Sequence, residues 1–261
     1  MSENSSHEEE YDDDMVAMLE TIWGEAFMAP GGPETVRRIV QGVDLQDKTL
    51  LDVGCGLGGG DLILAGELGA RVTGIDLGAP LLERARRYAA KAGLSERIEF
   101  RQVEPGPFPF ADESFDVVYS CGAIIHMPDK DAMFAEIKRV LKPGGILVGY
   151  DWLKGPGPIS ADMAYWIELE GLSFSMETLE DYGRGLTAAG FANVETQGDG
   201  GWYARKSAAE LEEMKGPLAE TLVAALGQEK YEHFLEDWRM TAVVAKSGEM
   251  KPGYFRATKA P

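Results

Sequence analysis

The chain has 261 residues, 44% of them hydrophobic, which is enough for one generous globular domain with a helical cap. Its formal net charge of -19 repels polyanions, which argues against a nucleic-acid partner and favours a neutral or cationic small molecule, although good solubility alone would account for such a charge. No apolar run approaches the roughly 20 residues that span a bilayer, the opening MSENSSHEEEYDDD is unlike a secretory signal, and Cys55 and Cys121 are too few for a disulfide framework or a cysteine-based zinc site, so a cytoplasmic, reduced and metal-free setting is expected.

Residues 1 to about 10 are expected to form a disordered acidic lead. From Asp13 to about Phe27 the pattern is helical, with Met15, Met18, Leu19, Ile22 and Trp23 on one face. The turn MAPGGPE follows, and Pro33 opens a helix running to about Val43. Strands and helices then alternate. Strands are expected at Thr49–Val53, Arg71–Asp76, Ile98–Val103, Phe115–Ser120 and Gly145–Asp151. Helices are expected at about Asp61–Leu68, Ala79–Ala92 and Lys130–Leu141. Such alternation predicts a Rossmann-like, doubly wound α/β sheet with helices on both faces.

The rhythm changes after Asp151. KGPGP marks a loop, Asp162 to about Glu170 is aromatic-rich and helical, and Thr178–Ala189 is a helix closed by Gly190. A sixth strand is expected at Asn193–Gln197. Ser207 to about Val244 is expected to be helical with a break near Gly216–Pro217. Gly253–Lys259 is the expected last strand, antiparallel beside the fifth, giving seven in all. The chain divides into N-terminal cap helices (1–46) and a core (47–261) carrying cap insertions at about 154–192 and 205–246.

Gly54-Cys55-Gly56-Leu57-Gly58-Gly59 sits between an expected strand and helix. Glycines there allow a ligand close to the backbone, and the helix N-terminus behind them offers free N–H groups. Asp76, ending the next strand, lies within reach of a ribose diol. The spacing also satisfies the dinucleotide pattern, so a nicotinamide oxidoreductase stays in play, as does a plain glycine turn. Three features favour S-adenosylmethionine: Asp52 before the glycines, the phrase Leu141-Lys142-Pro143-Gly144-Gly145 leading into the fifth strand, and the late seventh strand.

LDVGCGLGGG, GID, FDVVYS and LKPGG together resemble the class I S-adenosylmethionine-dependent methyltransferases, over roughly residues 47 to 151. The resemblance implies that Asp52, Gly54 and Gly56 lie near the methionine part of the cofactor. It further implies that Asp76 holds the ribose and that Glu104, where Asp is usual, lies near the adenine amine. Leu77 and Ser120 complete the expected cofactor set, with S-adenosylhomocysteine as the product. The segment YDDDMVAMLETIWGEAFMAPGG, with GLGGG, YSCGAIIHM and GYFRATK, narrows the resemblance to the phosphoethanolamine and sarcosine–dimethylglycine N-methyltransferases. That implies proton transfer and closure by His126 and Tyr11.

Two departures stand out. Gly122 occupies the place of an Asp four residues before the catalytic His. Glu168, Leu172 and Phe174 stand where a phosphate grip is expected, with Trp152 and Tyr150 nearby. Phosphoethanolamine itself is therefore disfavoured against another small amine, of the ethanolamine or glycine-betaine type, or a different nucleophile. On residues alone His126 is either a proton acceptor after the fourth strand or a structural histidine capping the turn at Pro128. Tyr11 is either a lid residue or a surface aromatic, and the aromatics after the fifth strand are either a cation site or core packing. N-methylation of a small amine leads. O-, S- or carboxyl-methylation and a non-catalytic cofactor-binding protein are the alternatives. The oligomeric state is left open.

Overall fold

The computed structural model describes residues 11–261, so the expected acidic lead lies outside the described residues. Among these, seven strands form one sheet in the order β3-β2-β1-β4-β5-β7-β6. The first five are β1 (Thr49–Val53), β2 (Arg71–Asp76), β3 (Ile98–Gln102), β4 (Phe115–Cys121) and β5 (Leu141–Asp151), all parallel. The last two are β6 (Ala192–Gly198) and β7 (Gly253–Thr258). β7 runs antiparallel to both its neighbours, β5 and β6, as the expected late strand required. The fifth strand begins earlier than its apolar run, because Leu141 already pairs with Phe115. The register then shifts across Lys142–Gly145 before Ile146 meets Val117. Pro143 lacks an N–H and Gly144 has φ +75°, so the phrase makes a bulge inside the strand.

Helices cover both faces. On one face lie α2 (Pro33–Ile39), α3 (Gly59–Gly66) and α4 (Ala79–Lys91), packing Val36, Leu64 and Leu82 on Leu50 and Val72. On the other lie α5 (Lys130–Val140) and α7 (Leu179–Ala188), packing Phe134, Ile137 and Tyr182 on Leu51, Val118 and Leu147. Adjacent residues Leu50 and Leu51 are both fully buried, as a strand covered on both faces demands.

The remaining helices form the cap. They are α1 (Asp13–Trp23), α6 (Ala161–Glu170), α8 (Gly200–Lys215), α9 (Ala219–Leu226) and α10 (Gln228–Ser247). Met18, Leu19 and Trp23 of α1 meet Met214, Leu222 and Trp238 in one apolar cluster. Gly227 (φ +80°) adds a second break to the long late helix expected with only one. No helix among the described residues is long and apolar enough to cross a membrane.

Glu20 ties α1 down. Its carboxylate accepts from the Tyr88 hydroxyl at 2.6 Å, the Ala26 N–H at 2.7 Å and Arg84 at 3.0 Å. Lys91 pairs with Glu25 at 2.8 Å. Arg84 and Lys91 of α4 thus help to hold the cap.

Candidate cofactor and acceptor site

The carboxyl ends of β1, β2 and β4 open onto a cavity of about 890 Å³. Tyr11, Asp52, Gly54, Gly56, Asp76, Leu77, Glu104 and His126, all expected site residues, line it. The loop after β1 needs its glycines. Gly54 has φ +76°, and a Cβ there would stand 2.2 Å from the Cβ of Ala123. Gly58, in the left-handed region, caps α3. The Gly54 and Cys55 N–H groups donate to the Ile75 carbonyl, which fixes the loop against β2.

Asp76 accepts from the Gly56 N–H and the Gly78 N–H, both at 2.9 Å. Each carboxylate oxygen keeps a further lone pair for a diol. Burial raises the Asp76 carboxyl, and the Gly78, Gly56 and Leu77 N–H groups pull it back. Asp52 is 3% exposed and Asp61, from α3, is fully buried. Asp52 Oδ1 and both oxygens of Asp61 find no conventional donor among the described residues. Burial is the main cause that raises both groups; a hydrogen bond with Asp61 pulls Asp52 back while the charge of Asp76 raises it, and Asp52 raises Asp61 further, so the pair retains a proton. Sequence reasoning missed Asp61, because an acid in the first turn of a helix ordinarily faces water.

Ser120 is a correction to the expected cofactor set. It is buried and does not line the cavity. Its hydroxyl donates to the Val53 carbonyl at 3.1 Å, bracing the end of β1 from behind. Glu168 is the second correction. In α6 the inward face carries Met163, Trp166 and Glu170 at helical spacing, which leaves Glu168 exposed. The carboxylate that reaches the interior is Glu170.

His126 ends a short 3-10 turn, Ile124–His126, just after β4. Lys130 fixes this turn: its buried ammonium donates to the carbonyls of Ile124 at 3.1 Å and Met127 at 2.8 Å. Nothing in the sequence MPDKDA announces that role. His126 Nδ1 lies 3.1 Å from the Ser173 carbonyl, which can only accept, so Nδ1 carries the proton. In the neutral ring the lone pair is then on Nε2, which lies 3.4 Å from the Tyr11 hydroxyl, a long contact. Gly122 has φ +72° and lies beside Ala29.

Tyr11, Met28, Ala29, Gly122 and His126 line both the large cavity and a second one of about 60 Å³ beneath the cap. Tyr150 and Trp152 line the second, with Glu170 and Asp237. Neither cysteine offers a reactive thiolate. Both are unbridged, and burial raises the Cys55 thiol and pushes Cys121 up to about 12.

The buried carboxyls have a consequence for stability. Burial raises Asp52, Asp151 and Asp237 to about 7. The unfolded chain releases these protons near pH 4, whereas the folded chain holds them until about pH 7. Between those values the folded state binds more protons, so stability falls as pH rises through that window. The melting temperature of the unliganded chain is expected to be lower at pH 8 than at pH 5.5. Asp61→Asn, which places a non-titrating hydrogen-bond donor beside Asp52, should raise it at pH 8. A variant that melts lower than the parent at pH 8 would show instead that Asp61 is ionised and well paired.

Residues 51–149 match the family model described as a methyltransferase domain. The chain is 32% identical to phosphoethanolamine N-methyltransferase 3 of Arabidopsis thaliana over 96% of its own length and 50% of that protein's. It thus spans about half the length of the curated relatives it matches. Among solved structures it resembles phosphoethanolamine N-methyltransferase 2 of Haemonchus contortus, crystallised with phosphomonomethylethanolamine and S-adenosylhomocysteine. The TM-score is 0.92 at 25% identity, over 100% of this chain and 61% of that one. A sarcosine–dimethylglycine methyltransferase structure from Galdieria sulphuraria, described there as putative, shares the fold. Its TM-score is 0.81 at 21% identity, over 96% of this chain and 98% of that one. The chain therefore carries a methyltransferase domain on the seven-stranded α/β methyltransferase fold, and along nearly its whole length it resembles the phosphoethanolamine N-methyltransferases.

Proposed function

We propose that this chain is an S-adenosylmethionine-dependent methyltransferase acting on the nitrogen of a small amine. The observation that carries the proposal is the meeting of His126 and Tyr11 where the large glycine-lined cavity joins the small capped one. The relatives named as phosphoethanolamine N-methyltransferases support nitrogen as the nucleophile.

The residues present suit the cofactor. The glycine loop is a cradle that a Cβ at Gly54 would fill, and Asp52 keeps an unpartnered oxygen at the wall. In this reading Asp52 and the loop hold the amino-acid part. Asp76 takes the ribose diol, and Leu77 and Glu104 flank the adenine. S-adenosylmethionine supplies a methyl group on a sulfonium, which is already a good leaving group, so the chain's task is alignment, exclusion of water and proton handling.

An amine attacks only when neutral. His126, with Nδ1 committed to the Ser173 carbonyl, presents Nε2 to accept the proton, and Tyr11 closes over the junction. The roof is drawn from α1 and from the insertions at about 154–192 and 205–246, with α2 and α7 given to the sheet. The acceptor is a small molecule and not a nucleic acid, in keeping with the net charge of -19, and the setting is cytoplasmic.

Calorimetry tests the cofactor half of the proposal. S-adenosylmethionine and S-adenosylhomocysteine should bind, and nicotinamide dinucleotides should not. Binding of a nicotinamide dinucleotide with no heat from either sulfur compound would overturn it.

A further inference from the structure

The small cavity is built from residues far apart in sequence. Trp23 comes from α1, Trp152 follows β5, Glu170 and Phe174 lie at and just beyond the end of α6, and Asp237 and Trp238 come from α10. Its aromatic walls are held in place. Buried Glu210 accepts from the indole N–H of Trp23 at 2.9 Å and of Trp238 at 3.3 Å, and the two rings lie 5.6 Å apart. Those N–H groups are thereby committed to Glu210, which does not line the cavity. Trp152 is packed by Trp166 at 5.6 Å and Tyr203 at 5.9 Å, and Phe174 stacks on Trp166 at 5.4 Å.

Three polar atoms of the cavity wall lack a hydrogen-bond partner among the described residues: Asp237 Oδ1, the Tyr150 hydroxyl and the Trp152 indole N–H. Asp237 is 4% exposed and Tyr150 1%. Buried polar atoms in folded proteins are seldom left alone. Three on residues that line one small cavity point to a ligand that completes them. Among the described residues no Lys or Arg lines this cavity, so nothing cationic waits there for a phosphate or a carboxylate. Glu170 and Asp237 instead stand close enough that the charge of Asp237 raises the Glu170 carboxyl, beyond the larger effect of burial. An unpaired buried carboxylate is costly, and a cation placed between the two would relieve that cost. Aromatic walls attract the same kind of ion.

We propose that the small cavity is a cation chamber. Glu170 and Asp237, walled by Trp23, Trp152, Phe174 and Trp238, hold the nitrogen of an acceptor that bears no phosphate or carboxylate, as the ammonium that arrives until its proton passes to His126 and as the methylated ammonium that forms. The Tyr150 hydroxyl and the Trp152 N–H donate to a neutral oxygen of the same molecule. A small amino alcohol has this chemistry. That the ligand is the methyl acceptor rests on the methyltransferase reading, because the chamber opens onto the large cavity through Gly122, Tyr11 and His126. Glu210 acts as a positioning residue that orients two of the walls.

The test uses the intact chain saturated with S-adenosylhomocysteine and titrated with choline as the probe. The comparison ligands are the uncharged analogue in which carbon replaces the quaternary nitrogen, phosphocholine and glycine betaine. Choline should bind roughly tenfold or more tightly than the uncharged analogue, and more tightly than either anion-bearing compound. Asp237→Asn and, separately, Glu170→Gln should erase the preference while the heat of S-adenosylhomocysteine binding persists and reports an intact fold. Equal affinity for choline and its uncharged analogue would overturn the proposal. So would tighter binding of phosphocholine or betaine, which would make the protonated acids an anion grip. No binding of any probe to the saturated chain would also overturn it. The unaltered chain alone decides the matter if a variant does not fold. Failure to bind S-adenosylhomocysteine at the outset would be a failure of the cofactor reading, not of the chamber.

Discussion

His126→Ala is expected to lower turnover by roughly 10²–10⁴, the range for loss of a positioned general base, with the affinity for S-adenosylmethionine almost unchanged. The imidazole lies at the junction of the two cavities. Its Nδ1 faces the Ser173 carbonyl, so in the neutral ring the lone pair is on Nε2, beside Tyr11. Removing the ring leaves the cofactor contacts of Asp52, Asp76 and the glycine loop in place. Tyr11→Phe should be milder, because its ring still packs against the cap cluster that holds Met18, Leu19 and Trp23 while the long hydroxyl contact to His126 is lost. Single-turnover rates across a pH series for parent and both variants check this. A His126→Ala enzyme turning over at nearly the parent rate would mean that the nucleophile needs no base, as for a thiol or an ionised acid.

The second large effect is at Asp76. Asp76→Ala should weaken binding of S-adenosylmethionine by roughly 1.5–3 kcal/mol, the worth of hydrogen bonds to a charged group, read by calorimetry. Part of the loss is indirect. Asp76 accepts from the Gly56 and Gly78 N–H groups, so its removal also frees the glycine loop and the start of α4. Asp76→Asn separates the two contributions: it keeps one acceptor oxygen for the backbone but loses the charge. Unchanged affinity in a folded Asp76→Ala protein would remove this residue from the ribose role.

The sheet was legible because its signals are local. Thr49–Val53 and Arg71–Asp76 are apolar runs closed by a glycine loop and by an acid, and both strands have the expected ends. The antiparallel β7 was legible from a late strand signal after a long detour. The late helices were read less well, since the single Gly227 inside a polar helical run looks like a tolerated glycine until its φ of +80° is known.

The glycine loop after β1 and the acid that ends β2 were legible for the same local reason, but the proposed acceptor chamber was not. Its walls come from α1, the end of β5, α6 and α10, and no spacing rule links Trp23 to Asp237. Glu168 was expected from the resemblance alone, without regard to helical phase: with Met163 and Trp166 inward, residue 170 follows on the same side and 168 is exposed. Ser120 misled because a polar residue near a strand's carboxyl end usually faces the ligand, whereas here it braces Val53.

The measurement that bears most directly on the central claim is methyl transfer itself. The purified chain would be incubated with S-adenosylmethionine labelled in its methyl group and a panel of small acceptors. The panel pairs each amine with its phosphorylated and carboxylated counterparts and includes hydroxyl and thiol compounds. Mass spectrometry and fragmentation locate the label. The expected result is label on the nitrogen of an uncharged-tail amine such as ethanolamine or an N-methylated form of it, with phosphoethanolamine a poorer acceptor. Label on oxygen or sulfur with none on nitrogen, or S-adenosylmethionine bound without transfer to any acceptor, would contradict the assignment.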